Sequence, residues 1–128
     1  MRVLDTNYLI RFLTQDIEEQ ARQAKQVIVG EQIYLPAIVL AETVYILENH
    51  YQVKKQEVCQ ALKGFLMQEN VRSVEHGQLA LEIYEQEKIS FYDSLIVAES
   101  ATKKWEVASF DQELVEVWRN YKIKNNHV

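Results

Sequence analysis

The chain is 128 residues long with a net charge of −5, 14 Lys and Arg standing against 19 Asp and Glu; the length suits one compact domain, residues 1–128, with a substantial core, and the charge argues against a protein that holds nucleic acid by bulk electrostatics. No apolar run approaches the roughly 18 to 20 residues that span a bilayer, since Ala37 to Ala41 stops at Glu42 and Asp5 interrupts any leader-like core, so a soluble cytoplasmic protein with no membrane association is expected. The single cysteine, Cys59, has no disulfide partner and no Cys or His at zinc-ligand spacing, which makes it a packing residue of a reducing compartment, and 3 Gly with 1 Pro leave little room for long loops.

Val3 and Leu4 make a brief strand that delivers Asp5 to the edge of a sheet, and Thr6 or Asn7 can cap the helix that follows over Tyr8 to Leu13. Thr14 or Asp16 offers a cap for a second helical run through Ile17, Ala21, Ala24, Val27 and Ile28, which Gly30 ends. Ile33-Tyr34-Leu35 is apolar on both sides of the pleat, as expected of a strand covered by helices on both faces. Pro36 then stands where a helix can start.

The next helix, about Ile38 to Asn49, carries Glu42 with apolar neighbours on nearly every side. Burying an ionised carboxylate without a partner costs several kcal/mol at least, so Glu42 either lies on a narrow solvent stripe or pairs with a Lys or Arg, or it meets a metal or a cluster of like groups. Lys54 to Met67 is an amphipathic packing helix, Val71 to Val74 a third strand, and Gln78 to Lys88 a further helix preceded by His76, a surface or capping residue. A helix beginning near Ile89 runs to about Lys103, and Ser90 and Asp93 stand three apart, the spacing of a capping box. Trp105 to Ser109 reads as a fourth strand, Asp111 as the start of a last helical turn, and Tyr121 to Ile123 as an edge strand.

Asp5, Glu42, Asp93 and Asp111 each have a structural explanation, yet their positions agree. In a right-handed doubly wound arrangement the crossovers return every strand in one direction, so residues just past strands gather at one sheet edge. Four clustered acids would repel one another unless protonated or bound to cations. All-oxygen ligation suits Mg²⁺ or Mn²⁺ and not zinc.

Leu4-Asp5-Thr6-Asn7, Ala41-Glu42-Thr43, Tyr92-Asp93-Ser94-Leu95-Ile96-Val97-Ala98 and Ser109-Phe110-Asp111 in this order resemble the PIN domain, a metal-dependent nuclease fold, and within it the small toxins of the virulence-associated-protein C type. The resemblance spans essentially the whole chain. It implies a three-layer α/β/α fold with a parallel sheet of four to five strands, an acidic pocket holding one or two Mg²⁺ or Mn²⁺, and hydrolysis of RNA. Asp5, Glu42, Asp93 and Asp111 would be the catalytic metal ligands, with Asn7 and Ser109 supporting them. Arg11, Lys103 and Lys104 are candidates for contacting the RNA backbone, against an ordinary role as solvated surface charges. A homodimer and a cognate antitoxin protein are the partners the resemblance implies. The alternatives are a PIN-type RNA-processing nuclease that is no toxin and a catalytically silent α/β binding module whose acids cap helices.

Overall fold

In the computed structural model, which describes residues 1–126, the chain divides into two compact units, Met1–Val74 and Glu75–Val128. The first carries β1 (Arg2–Val3), α1 (Thr6–Thr14), α2 (Glu18–Gly30), β2 (Ile33–Leu35), α3 (Ala37–Asn49), α4 (Lys55–Leu66) and β3 (Val71–Ser73). Its sheet is parallel, with the order β1-β2-β3 and the registers Arg2 to Ile33, Val3 to Tyr34, and Ile33 to Val71. The central strand is the most apolar one, and Ile33 and Leu35 are fully buried.

The helices of this unit follow the apolar periodicity. Ala21, Ala24 and Ile28 of α2 recur at intervals of three and four and are buried, as are Val58, Cys59, Leu62 and Phe65 of α4. Each fully buried Leu or Ile contributes about 1.5–3 kcal/mol. Phe12 of α1 meets Phe65 edge-on, with ring centroids 5.9 Å apart. Asn70 ties the end of α2 to the start of β3, its amide donating to the carbonyls of Ile28 at 2.6 Å and Glu31 at 2.8 Å.

Two helix starts differ from expectation. Asp5 itself, not Thr6 or Asn7, caps α1, because Thr6 is already helical and buried. Ile17 occupies the cap position of α2 with no side-chain bond, since Thr14 and Asp16 are drawn into a separate polar network.

The second unit is helical among its described residues, with α5 (Gly77–Gln86), α6 (Phe91–Lys103) and α7 (Gln112–Asn126). α6 packs against both α5 and α7, and Tyr84 and Phe91 meet edge-on with centroids 5.6 Å apart. His76 is buried at the cap position of α5 and makes no side-chain cap bond, so it is neither a surface residue nor a side-chain cap.

The described residues form three strands, not four to five. Trp105 to Ser109 pairs with no strand among them, and its backbone bonds go elsewhere: the Trp105 amide closes α6 by donating to the Ser100 carbonyl at 2.8 Å, and the Trp105 carbonyl accepts from the Trp118 indole at 3.4 Å. Tyr121 to Ile123 lies inside α7. Leu114, Val117, Trp118 and Tyr121 are buried at intervals of three, one and three, a helical face that an edge-strand reading of the last three residues breaks up. No described helix is long and apolar enough to cross a membrane.

Candidate active site

Asp5 leaves β1 in extended conformation and stops the strand by capping α1, its Oδ1 accepting from the Tyr8 amide at 3.0 Å. Because β1 and β2 run parallel in register, the residues just past them stand at one edge of the sheet. Asp5 leads from that edge into α1, and Pro36 leads into α3, whose second turn carries Glu42. α1 packs on α3, so in the first unit the helix that Asp5 caps and the helix that carries Glu42 are neighbours.

Glu42 is exposed, so of the alternatives its apolar neighbours leave open the structure shows the narrow solvent stripe. Val39, Leu40, Ala41, Thr43, Val44 and Leu47 carry the buried side of α3, while Ile38, Glu42, Tyr45 and Asn49 form a solvent stripe at intervals of four, three and four. Ile38 and Tyr45 are themselves exposed, and their hydrophobicity hides the stripe in the sequence.

The second unit carries the other two acids at helix starts. Asp93 is half-buried in the first turn of α6, where Ser90 is the cap and its hydroxyl accepts from the Asp93 amide at 3.1 Å. No reciprocal bond from the Asp93 carboxylate to the Ser90 amide exists among the described residues, so only half of a capping box forms and the carboxylate is left for other work. Asp111 caps α7, its Oδ1 accepting from the amides of Glu113 at 3.0 Å and Leu114 at 3.3 Å. Ser109 supports it through the backbone, with its hydroxyl accepting from the Asp111 amide at 3.0 Å. Asn7 is exposed and lines a hollow with Asp5.

The cations divide by how firmly they are held. Lys103 pairs with Glu99 at 3.4 Å and lies over the Trp105 ring at 4.7 Å, exposed interactions that contribute about 1 kcal/mol or less each. Lys104 ends α6 in left-handed conformation, and its amine makes no described contact. Arg11 is fixed: Nε donates to Gln20 Oε1 at 2.8 Å, and Nη1 lies 3.2 Å from the Tyr51 hydroxyl and 3.4 Å from Asp16 Oδ1. The Tyr51 hydroxyl donates to Asp16 Oδ2 at 2.6 Å, and the Thr14 hydroxyl lies 2.8 Å from Asp16 Oδ1. These bonds from Tyr51 and Thr14, with the Arg11 charge, hold the Asp16 carboxyl below the usual carboxylate range.

Sequence reasoning missed this network. Asp16 and Tyr51 are 35 residues apart, and no local spacing announces the pair. In the second unit a larger hollow of about 370 Å³, lined by Glu87, Glu113 and Glu116 among others, contains neither Asp93 nor Asp111.

Four carboxylates offer hard oxygen donors, and that chemistry fits Mg²⁺ or Mn²⁺. Each unit carries two of the four, and within neither unit do three described His, Cys, Asp or Glu residues form a metal-holding group. The PIN domain family model matches residues 2–119, a span that crosses both units and contains all four acids. The chain belongs to the PIN domain family. It is also similar to a VapC ribonuclease of Aquifex aeolicus (strain VF5), 28% identical over 102 residues that cover 74% of this chain and 75% of that protein. No solved structure gives a significant match.

Proposed function

We propose that residues 1–128 act as one metal-dependent endoribonuclease domain that hydrolyses RNA phosphodiesters as the toxin of a type II toxin–antitoxin pair. The observation that carries this reading is the family match over residues 2–119 with an acid at each of four motif positions, Asp5, Glu42, Asp93 and Asp111. Similarity to a VapC ribonuclease favours RNA as the substrate and a toxin as the role.

The four acids would hold Mg²⁺ or Mn²⁺, which when bound supplies a Lewis acid that lowers the pKa of water and offsets charge on phosphoryl oxygens. The chain's own part is to set the donors. Oδ1 of Asp5 and Oδ1 of Asp111 are committed to helix amides, which fixes each carboxylate and leaves its second oxygen for ligation. Ser109 holds the backbone at Asp111, and Asn7 stands beside Asp5 as a hydrogen-bonding neighbour for substrate or ligand. Lys103 and Lys104 would meet the RNA backbone at little cost in broken contacts.

Exposed Ile17 and Tyr45 support a homodimer, since large apolar side chains left in water favour association. Inhibition by an antitoxin would use an apolar helix and a basic side chain directed at the acids. The test is cleavage of labelled RNA with Mg²⁺ or Mn²⁺ and with excess chelator. Cleavage that the chelator abolishes and added metal restores is expected, and full cleavage in chelator would refute the mechanism. A second reading has an observation behind it: Asp5 and Asp111 are functioning helix caps, as a catalytically silent module requires. Failure of the metal-loaded protein to cleave any RNA would favour it. A processing nuclease would cleave RNA without arresting growth when expressed, whereas a toxin arrests growth until its antitoxin is supplied.

A further inference from the structure

Asp5 borders a hollow of about 290 Å³ whose other walls are Asn7, Tyr8, Arg11, Gln20 and Gln23, drawn from α1 and α2. Its lining is one carboxylate, one guanidinium, three carboxamides and a phenol, with no aliphatic side chain. That set is wrong for an apolar ligand and suited to a planar heterocycle bearing hydrogen-bonding groups. The volume is at the lower end for ligand sites, which matches one base and not an extended cofactor.

The side chains are already arranged for this. Gln20 spends its carbonyl oxygen on Arg11 Nε, so what it offers a ligand is its NH₂ donor pair. Gln23 is exposed and has no hydrogen bond among the described residues, so it offers donor and acceptor together. Tyr8 is 41% exposed and presents an aromatic surface for stacking. Arg11 is oriented by Asp16 and Tyr51 through Nη1, while Nη2 carries no bond among the described residues.

We propose that this hollow is the subsite for the nucleotide adjoining the cleaved bond, with Arg11 contacting a phosphate, Tyr8 stacking on the base, and Gln20 and Gln23 reading the base edge. The assignment rests on the ribonuclease reading and adds to it a determinant of sequence preference. Phosphate contacts position a nucleic acid and amide contacts to base edges specify it. Tyr51 and Asp16 are then positioning residues, acting through Arg11.

The experiment maps the cleaved bonds of a random-sequence RNA pool in Mg²⁺ and Mn²⁺, with kcat and KM on one good site, for the wild-type chain and Gln23→Ala, Gln23→Glu, Arg11→Lys and Tyr51→Phe. Gln23→Ala is expected to flatten base preference at one position beside the cut on the order of tenfold, and Gln23→Glu to shift it toward a different base. Arg11→Lys, which keeps the charge and loses the planar fork, is expected to raise KM about tenfold with a smaller effect on kcat. Tyr51→Phe should move KM the same way by a smaller factor. Thermal unfolding of each variant separates these effects from misfolding, and Gln23, exposed on a helix, tolerates both replacements. Wild-type cleavage without base preference, or variants that keep the wild-type preference and KM, would overturn the subsite and leave the nuclease reading standing. No cleavage by the wild-type chain in either metal removes both.

Discussion

Two of the four candidate ligands also cap helices, so replacing Asp111 by Asn and by Ala divides structural from chemical loss. Asp111 Oδ1 accepts from Glu113 and Leu114 at 3.0 and 3.3 Å. Asn keeps an acceptor oxygen and ranks with Asp as a cap, so Asp111→Asn loses only the interaction of the charge with the helix dipole, about 0.3 kcal/mol at an exposed terminus. Asp111→Ala loses the cap itself, about 1 kcal/mol. For a chain of this size each kcal/mol lowers Tm by about 3–5 °C, so Ala is expected to unfold about 3–5 °C below wild type and Asn within about 2 °C. Removing an outer-shell partner of a metal typically costs 10- to 100-fold, so loss of a ligand should cost at least about 100-fold in RNA cleavage for both variants alike. Calorimetry and a cleavage assay on the same preparations read the two columns. Asp111→Asn cleaving at the wild-type rate would refute the ligand role and leave the cap as the whole explanation. The same pair at Asp5, which accepts from Tyr8 at 3.0 Å, repeats the test in the first unit.

How far the chain was readable follows the range of the interactions. Helices were visible where apolar residues recur every three or four positions, and β1 to β3 where short apolar runs end in polar residues. Trp105 to Ser109 has the composition of a strand, but a strand is defined by its ladder, and composition carries no ladder. The four candidate acids stand out in the sequence because a motif in fixed order needs no knowledge of contacts, and what the fold shows of them is the helix-capping of Asp5 and Asp111. The environment of Glu42 was not readable, because Ile38 and Tyr45 put hydrophobic side chains on its exposed stripe. The Arg11 network was invisible for a third reason: Asp16 has a plausible local role as a cap, and only the fold shows it 2.6 Å from a tyrosine 35 residues on.

The remaining predictions separate environment from chemistry. Glu42 is exposed, so Glu42→Gln should change stability by no more than about 0.5 kcal/mol while cleavage falls as far as it does for Asp111→Asn; a large loss of Tm would contradict the exposed placement. The Asp16 carboxyl is held below its ordinary value of 3.8, first by Tyr51, then by Thr14 and Arg11, so the ionised form stabilises the fold above the ordinary value and that contribution is lost as pH falls through the depressed one. Tyr51→Phe should raise the Asp16 pKa toward 3.8, read by carboxyl carbon NMR, and an unmoved titration would break the link. Thr43 is fully buried on α3, and its hydroxyl has no hydrogen-bond partner among the described residues. A buried hydroxyl without a partner forfeits about 1–3 kcal/mol of hydration, and valine fills nearly the same space without that polar atom. Thr43→Val should therefore raise Tm, by about 3–5 °C for each kcal/mol recovered, whereas Thr43→Ala removes a packed methyl as well and should gain less or lose. A fall in Tm for Thr43→Val would mean that the hydroxyl is satisfied in solution, by a bound water or an α3 carbonyl, and that the residue beside Glu42 is held by a hydrogen bond and not by packing alone.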